Sequence, residues 1–404
     1  MISFKHLKRL ASMLALSTAC LAAYAQKTYN VAAFSDFSGP YASVFSELIQ
    51  AREATLAWWN AEVGTKIGVK IVLRQYDNRY DTAQTASIWP GVKAELNPIL
   101  IFGVGGPDVA ALQTRLPDDK VPMVLGTAAY GYAWKPEPWV FNPRPTLAHE
   151  MAAFLEWKYK SQNRPVRFAL ISSEASPGYA DFSKGLTTFA KDNKNVEFVE
   201  ILNTEMQPTD LTLQVRRMAN AKVDVILVPG NTAQAVAAKR ALQSLNLKVP
   251  LMYSTYNGFQ LSAKALGGTA LFEGDYEVCA CTVTADEDSS AKRFYEMLKK
   301  DHGLKTNWNG FTALGIGQTL YTMRALERAV AKVGPDKLTG LAIRDALLSG
   351  PTTSAQTFGY YPALAFTNDA PFPQTGLLAT IATFKDGKSV LVGREVPVPR
   401  IAKW

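Results

Sequence analysis

A repeated rhythm constrains this chain more than any other feature. Short β-rich apolar runs alternate with longer amphipathic segments, once over 29–127 and again over 167–254. Strand, helix, strand in regular alternation is the pattern of a parallel sheet covered by helices. Strands are expected at Tyr29 to Phe34, Val69 to Tyr76, Ile99 to Phe102, Met123 to Gly126, Arg167 to Ser172, Val196 to Leu202, Val223 to Val228 and Leu251 to Ser254. Val44, Phe45, Leu48, Leu56 and Trp59 fall on helical spacing and predict a helix over Tyr41 to Asn60. Similar patterns predict helices over Thr82 to Leu96, Thr146 to Lys160, Tyr179 to Lys191, Leu211 to Asn220, Ala233 to Leu245 and Ser289 to His302. A long apolar helix over Gly310 to Lys332 ends at the stop signal Gly334-Pro335. The Pro-rich stretch Trp139 to Pro145 breaks the rhythm, so two similar open sheets are expected. The segment Gly359 to Val392 turns β-like at Leu364 to Thr367 and Leu377 to Phe384. If it returns the chain across both lobes, the crossings form a hinge.

The segment Met1 to Ala25 carries Lys5, Lys8 and Arg9, an apolar run around Leu10 to Ala23, and the small-residue tripeptide Ala23-Tyr24-Ala25. That is the form of a cleaved secretory signal peptide. The run is too short to cross a bilayer of about 30 Å. Lipid attachment at Cys20 is the alternative, disfavoured because Ser17 stands where such sites want a Leu-like side chain. Removing the leader takes away three of 43 basic residues, leaving 40 against 35 acidic ones. Lys and Arg are scattered, with no basic stripe interleaved with aromatics, so nucleic acid is not an expected partner. The processed chain, Gln26 to Trp404, exceeds what one hydrophobic core usually supports, so two domains are expected. Beyond the leader the cysteines are Cys279 and Cys281. On a strand, at about 3.3 Å per residue, their Cα atoms would lie about 6.6 Å apart. That is near the upper limit for a bridge, so two buried thiols are expected. With only His149 and His302 available as histidine ligands there, no metal site is expected.

Catalytic motifs do not survive inspection. There is no Gly-x-Ser-x-Gly elbow, no phosphate loop ending in Gly-Lys-Ser or Gly-Lys-Thr, and no His-Glu-x-x-His. Gly103-Val-Gly-Gly-Pro-Asp108 lacks the third glycine of a dinucleotide fingerprint and follows the third strand instead of the first, so no cofactor is expected. Two readings of that loop remain open: Gly105 and Gly106 let a ligand approach the main chain, or they form a tight turn. Further strand-to-helix junctions are Asp36 to Tyr41, Thr127 to Tyr130, Ser173 to Tyr179, Pro229 to Thr232 and Thr255-Tyr256. These sit at strand carboxyl ends, where open α/β sheets bind ligands, and they carry hydroxyls, amides and aromatics with few charges.

The chain resembles the substrate-binding proteins of branched-chain amino-acid and amide ABC importers, the type I periplasmic binding fold. The marks are Ser38-Gly39-Pro40 after the first strand, Tyr76-Asp77-Asn78 with Thr82-Ala83, and Gly103 before the ligand loop. Others are Val121-Pro122-Met123 leading to Gly126-Thr127-Ala128, Pro177-Gly178-Tyr179-Ala180-Asp181, and Thr209-Asp210 before a helix followed by Val223-Asp224-Val225. The resemblance implies an α/β protein with two Rossmann-like lobes, parallel-sheet cores and a multi-strand hinge. The first lobe would take 26–144 and 277–372, and the second 145–276 and 373–404. It implies capture of a small molecule without chemistry, delivery to an inner-membrane permease, a periplasmic location and a monomer. Ligand contacts are expected at Ser38, Tyr41, Gly105, Gly106, Pro107, Asp108, Thr127, Ala128, Ala129, Tyr130, Tyr179, Asn231, Thr255, Tyr256 and Glu277.

Two departures bear on the ligand. Amino-acid binders of this family hold the carboxylate with a serine-rich loop, where this chain has Gly105-Gly106-Pro107-Asp108. They commonly hold the ammonium with an acidic residue after the strand ending at Ser254, where Thr255-Tyr256 stand. An α-ammonium buried unpaired costs several kcal/mol. Phe37, Tyr41, Tyr130, Tyr132, Trp134, Tyr179 and Tyr256 near the loops favour an aromatic or flat apolar carboxylate or amide, unless Asp108, Glu174 or Glu277 supplies an acidic contact from another direction. A ligand-sensing module of a signalling system is the alternative. A secreted hydrolase would need Asp77, Asp108, His149 and Glu277 in an acid/base pairing that no motif fixes.

Overall fold

The computed structural model describes residues 26–126, 134–191 and 193–404. The chain builds two sheets. The first holds β1 (Lys27–Ser35), β2 (Val69–Asp77), β3 (Leu100–Gly103), β4 (Met123–Leu125) and β5 (Val140–Phe141), all parallel in the order β2-β1-β3-β4-β5. Between them run α1 (Ala42–Trp59), α2 (Thr82–Leu96) and α3 (Gly106–Leu112). Every residue of β3 is buried, as expected for a central strand covered on both faces.

After β5 the chain crosses into α4 (Leu147–Gln162), which packs on the second sheet. That sheet contains β6 (Val166–Ser172), β7 (Val196–Asn203), β8 (Val225–Val228), β9 (Leu251–Tyr253) and β10 (Tyr276–Cys279). Its helices are α5 (Pro177–Lys191), α6 (Thr212–Asn220), α7 (Thr232–Ser244) and α8 (Phe259–Leu266). A second crossing after Cys279 returns the chain to the first lobe as α9 (Ser290–Asp301), α10 (Gly310–Val333) and α11 (Gly340–Leu348). α10 lies against α1 and α11. Ser289, Asn309 and Thr339 cap these three helices by accepting the amide three residues on, which ends the preceding loops sharply. A third crossing brings in β11 (Leu378–Lys385) and β12 (Lys388–Pro397), antiparallel at the β10 edge, for a final order of β12-β11-β10-β9-β8-β6-β7.

Three expectations change. β10 belongs to the second sheet, so the return to the first lobe follows Cys279 and does not fall at residue 277. Leu364 to Thr367 makes only isolated bridges, Thr352 with Leu364 and Thr367 with Ala370, and is not a strand. Cys279 and Cys281 form a disulfide. Cys281 lies beyond the end of β10, where the chain bends, and the Cα separation is 5.0 Å instead of the extended-strand value.

The lobes are in contact. One buried apolar cluster takes Tyr41, Phe45, Val104 and Phe311 from the first lobe together with Tyr179, Phe182 and Tyr256 from the second. No helix among the described residues is long and apolar enough to cross a membrane.

Candidate functional site

The first wall of the site is set by the turn after β1. The Asp36 carboxylate accepts the amides of Gly39 and Tyr41, the latter at 2.8 Å, and so fixes the entry to α1. Ser38 lies on the exposed rim, where its hydroxyl donates to Asp77 at 2.8 Å and ties this turn to the end of β2. Immediately after β2, Arg79 and Tyr80 adopt positive φ, 56° and 52°. Such conformations are costly for bulky side chains and cluster at functional sites. Here they bring the Tyr80 ring to 4.8 Å from that of Tyr41.

Tyr41 reaches across the cleft, and its hydroxyl hydrogen-bonds that of Tyr179 on α5. Tyr41, Phe45, Tyr80, Val104 and Phe311 from the first lobe and Tyr256 from the second enclose a small cavity, with room for about one water molecule between the rings. Phe311 sits 5.9 Å from Phe45, 6.2 Å from Tyr256 and 6.3 Å from Tyr41, centroid to centroid. Burial pushes the phenols of Tyr41, Tyr80 and Tyr179 well above their ordinary range, so all three remain protonated hydrogen-bond donors.

Glycines set how near the lobes come. A Cβ on Gly106 would lie 2.6 Å from the amide nitrogen of Gly178 and 3.0 Å from its Cα. One on Gly310, at the start of α10, would lie 2.1 Å from the carbonyl oxygen of Thr255. Backbone meets backbone at both points. The absence of a side chain at Gly106 and Gly310 therefore lets the two lobes approach this closely, a role the sequence reading did not consider.

Asp108 is buried with its carboxylate turned onto its own loop. It accepts from Val104 N at 2.6 Å, Gly105 N at 3.3 Å and Asn78 Nδ2 at 2.5 Å. Desolvation nevertheless raises its pKa to about 6. Behind it, the buried Arg52 guanidinium donates to Gln318 and to the carbonyls of Phe34 and Gly103 at the ends of β1 and β3, and burial lowers its pKa to about 9.

The other expected contacts divide. Tyr179 and Tyr256 join the cleft, and Pro107 is buried in the first turn of α3. Asn231 caps α7: its side chain accepts from Gln234 N at 3.0 Å and donates to Met206 O at 2.6 Å. Glu277 is buried between β10 and α8, accepting from Phe259 N at 3.1 Å, away from the aromatic cavity. Desolvation raises its pKa to about 7. Glu174 is exposed and bonded by Asn203. Phe37 is exposed, and Trp134 packs on Phe372 and Trp404 at the outer side of the third crossing. Thr127, Ala128, Ala129, Tyr130 and Tyr132 lie outside the described residues.

Sequence reasoning missed Phe45, Tyr80, Val104, Phe311 and the Arg144–Glu150 pair. Arg144 lies in the first crossing, and its guanidinium makes a two-pronged contact with Glu150, Nη2 at 2.8 Å from both carboxylate oxygens. Arg144 Nη1 donates to Thr255 Oγ1 at 3.1 Å, and Glu150 also accepts from Ala280 N at 2.8 Å. The signal was present as the lone charge of Asn142-Pro-Arg-Pro145, but nothing local names its partner.

A second cavity of about 270 Å³ opens beside the third crossing, lined by Trp134, His149, Phe372 and Arg400 among others. Its walls come from the crossing, α4 and the C-terminal segment. The aromatic cavity instead lies where the loops after β1, β2, β3 and β9 converge, the place at which open α/β sheets take ligands.

Two α/β lobes joined by three crossings, meeting over their strand carboxyl ends, define the type I architecture of two-lobed binding proteins. The chain belongs to the periplasmic binding protein family, whose profile matches residues 28–388. Among solved structures, a branched-chain amino acid ABC transporter protein from Thermus thermophilus with bound valine is similar at TM-score 0.77 and 16% identity, over 91% of this chain and 96% of that one. A fatty acid ABC transporter substrate-binding protein from Thermomonospora curvata matches at 0.73 and 20%, over 93% and 96%. An ABC transporter solute-binding protein from R. palustris in complex with benzoate matches at 0.73 and 14%, over 93% and 99%. At such identities what is shared is the fold. Comparison with curated protein sequences gives no match.

Proposed function

We propose that the chain is the periplasmic solute receptor of an ABC importer, exported with the segment Met1 to Ala25 removed, and that it closes its lobes on an aromatic or otherwise flat apolar carboxylate or amide. The observation that carries this reading is the lining of the inter-lobe cavity, which among the described residues is three phenols, two phenyl rings and a valine, with no carboxylate. An α-ammonium would find no charged partner there. The nearby buried acids are engaged elsewhere, Asp36 and Asp108 by loop amides, Glu150 by Arg144 and Glu277 by Phe259 N. Neutral phenols donate readily to a carboxylate or carbonyl oxygen. The family membership supports the receptor role, and the benzoate complex of the same fold illustrates a solute of this kind.

Thermal shift of the processed protein against α-amino acids, aliphatic amides, urea and aromatic carboxylates tests it. At a hundred times the dissociation constant, binding to the native state adds about 2.7 kcal/mol. A shift with aromatic acids or amides alone supports the reading. A shift with leucine or valine overturns the ligand class and leaves the receptor role standing.

A further inference from the structure

Arg144 and Glu150 are both fully buried, and between them they touch four separate segments. Arg144 belongs to the first crossing. Glu150 stands in the first turn of α4, where the helix dipole favours an acid. Ala280, whose amide Glu150 accepts, opens the second crossing, and Thr255, which Arg144 contacts, begins the loop between β9 and α8. A buried ion pair is a poor source of stability compared with apolar side chains of the same volume, so its place in a fold is better explained by the geometry it imposes. The geometry here is specific. The next residue after Thr255 is Tyr256, the second lobe's contribution to the aromatic cavity.

We propose that Arg144 and Glu150 are positioning residues for the cavity: the pair fastens the Thr255-Tyr256 loop to the first and second crossings and so sets the Tyr256 ring in the orientation that completes the aromatic wall. The functional consequence rests on the reading of that cavity as the solute site. The fastening itself does not. Arg144 and the start of α4 then move with the second lobe as one body, and the bend of the first crossing falls before residue 144. Lysine cannot replace arginine here, because one ammonium does not span both carboxylate oxygens while also reaching Thr255.

Hydrogen exchange followed by mass spectrometry on the free, processed chain tests this without any solute. Three variants are compared with the parent: Arg144→Lys, Glu150→Gln, and the double variant Arg144→Met with Glu150→Leu, which removes both charges together and keeps the site filled. In each, amides of residues 254–258 and 279–284 should exchange at least tenfold faster, while β1, β3, β6 and β8 keep their rates. A pair that acted only through general stability would instead raise exchange across the whole second lobe in the single variants and leave 254–258 protected in the apolar double variant. Either that pattern or unchanged exchange at 254–258 overturns the proposal. Because no solute is added, a wrong ligand class leaves the result untouched, and a refuted positioning role says nothing against solute binding.

Discussion

Gly106→Ala should open the molecule. In the structure the added Cβ would stand 2.6 Å from Gly178 N, against an ordinary contact of 3.4 Å or more, so the two backbones must separate by about 0.8 Å. Neither atom belongs to a flexible side chain that can step aside. Gly106 sits on the first lobe and Gly178 on the second, so the expected relief is a shift of one lobe away from the other. Overpacking of this size costs about 1–3 kcal/mol. Charged against the closed state alone, that weakens solute binding by about fivefold to somewhat over a hundredfold. Small-angle scattering of the free protein should give a larger radius of gyration than the parent, and calorimetric titration with the compound that raises the melting point should show the affinity loss. Gly91→Ala is the control: the residue lies in α2, its Cβ would meet nothing within 4 Å, and helix propensity should make it neutral or stabilising. Superimposable scattering curves together with affinity within twofold of the parent would refute the claim that this glycine exists for closure.

Further outcomes follow from the same geometry. Tyr41→Phe removes the hydroxyl pairing with Tyr179 across the cleft, and at about 1 kcal/mol for a neutral hydrogen bond the affinity should fall about fivefold; an unchanged value means the pairing is not kept in the solute-bound state. The folded-state pKa of Glu277, about 7, lies above its unfolded value of 4.5, so the native chain holds an extra proton between those values and loses stability as pH rises through that window. Glu277→Gln should remove about 3 kcal/mol of that decline, read from urea unfolding at pH 4.5 and 7.5, with a residual slope left by Asp108 and Asp275, each raised to about 6; parallel profiles count against it. Replacing Cys279 and Cys281 by serine together should cost no more than about 2 kcal/mol, since the bridge closes a very short loop, and a larger loss measured by denaturation would mean that it holds the second crossing in place.

Periodicity made the architecture readable. Eight strands, from Tyr29 to Ser254, and the helices α1, α2, α4 to α7, α9 and α10 were legible because a doubly covered parallel strand reads as an unbroken apolar run and a covering helix as a pattern of helical period, while the short α8 was not. Their observed ends shift only slightly, as with Val225–Val228 against Val223 to Val228. What escaped was short or set by tertiary pairing. β5 is only Val140–Phe141, and β12 is an edge strand whose sequence, KSVLVGREVP, has no alternation of polar and apolar residues to mark it. β10 was missed as a member of the second sheet because it is only four residues long and one of its partners, β11, lies beyond the whole return through the first lobe. The candidate site was legible by its place in the fold and not by what each residue does there. Strand-to-helix junctions pointed to Tyr41, Tyr179 and Tyr256, while Asp108 and Asn231, conspicuous in those loops, are occupied by their own backbone. Phe311 comes from α10, far along the chain from Gly105, and no local pattern could place it in the cleft.

The two glycine contacts change what the departures from the amino-acid binders mean. A serine-rich loop spends its hydroxyls on a ligand carboxylate, but a side chain at residue 106 would collide with Gly178, so the loop can offer little beyond its main chain once the lobes meet. Thr255 is in the same position from the other side: its carbonyl abuts Gly310 and its hydroxyl is held by Arg144. With both of those positions taken up by contacts within the protein, recognition of the proposed solute would fall to the tyrosine rim. Tyr41 and Tyr179 share one hydrogen bond between two hydroxyls, so one of the two protons is still available to an acceptor. A ring entering between Tyr41, Tyr80, Tyr256 and Phe311 would part rings now packed on each other, and replacing that contact takes another flat apolar surface, which is the physical case for an aromatic solute over a branched aliphatic one.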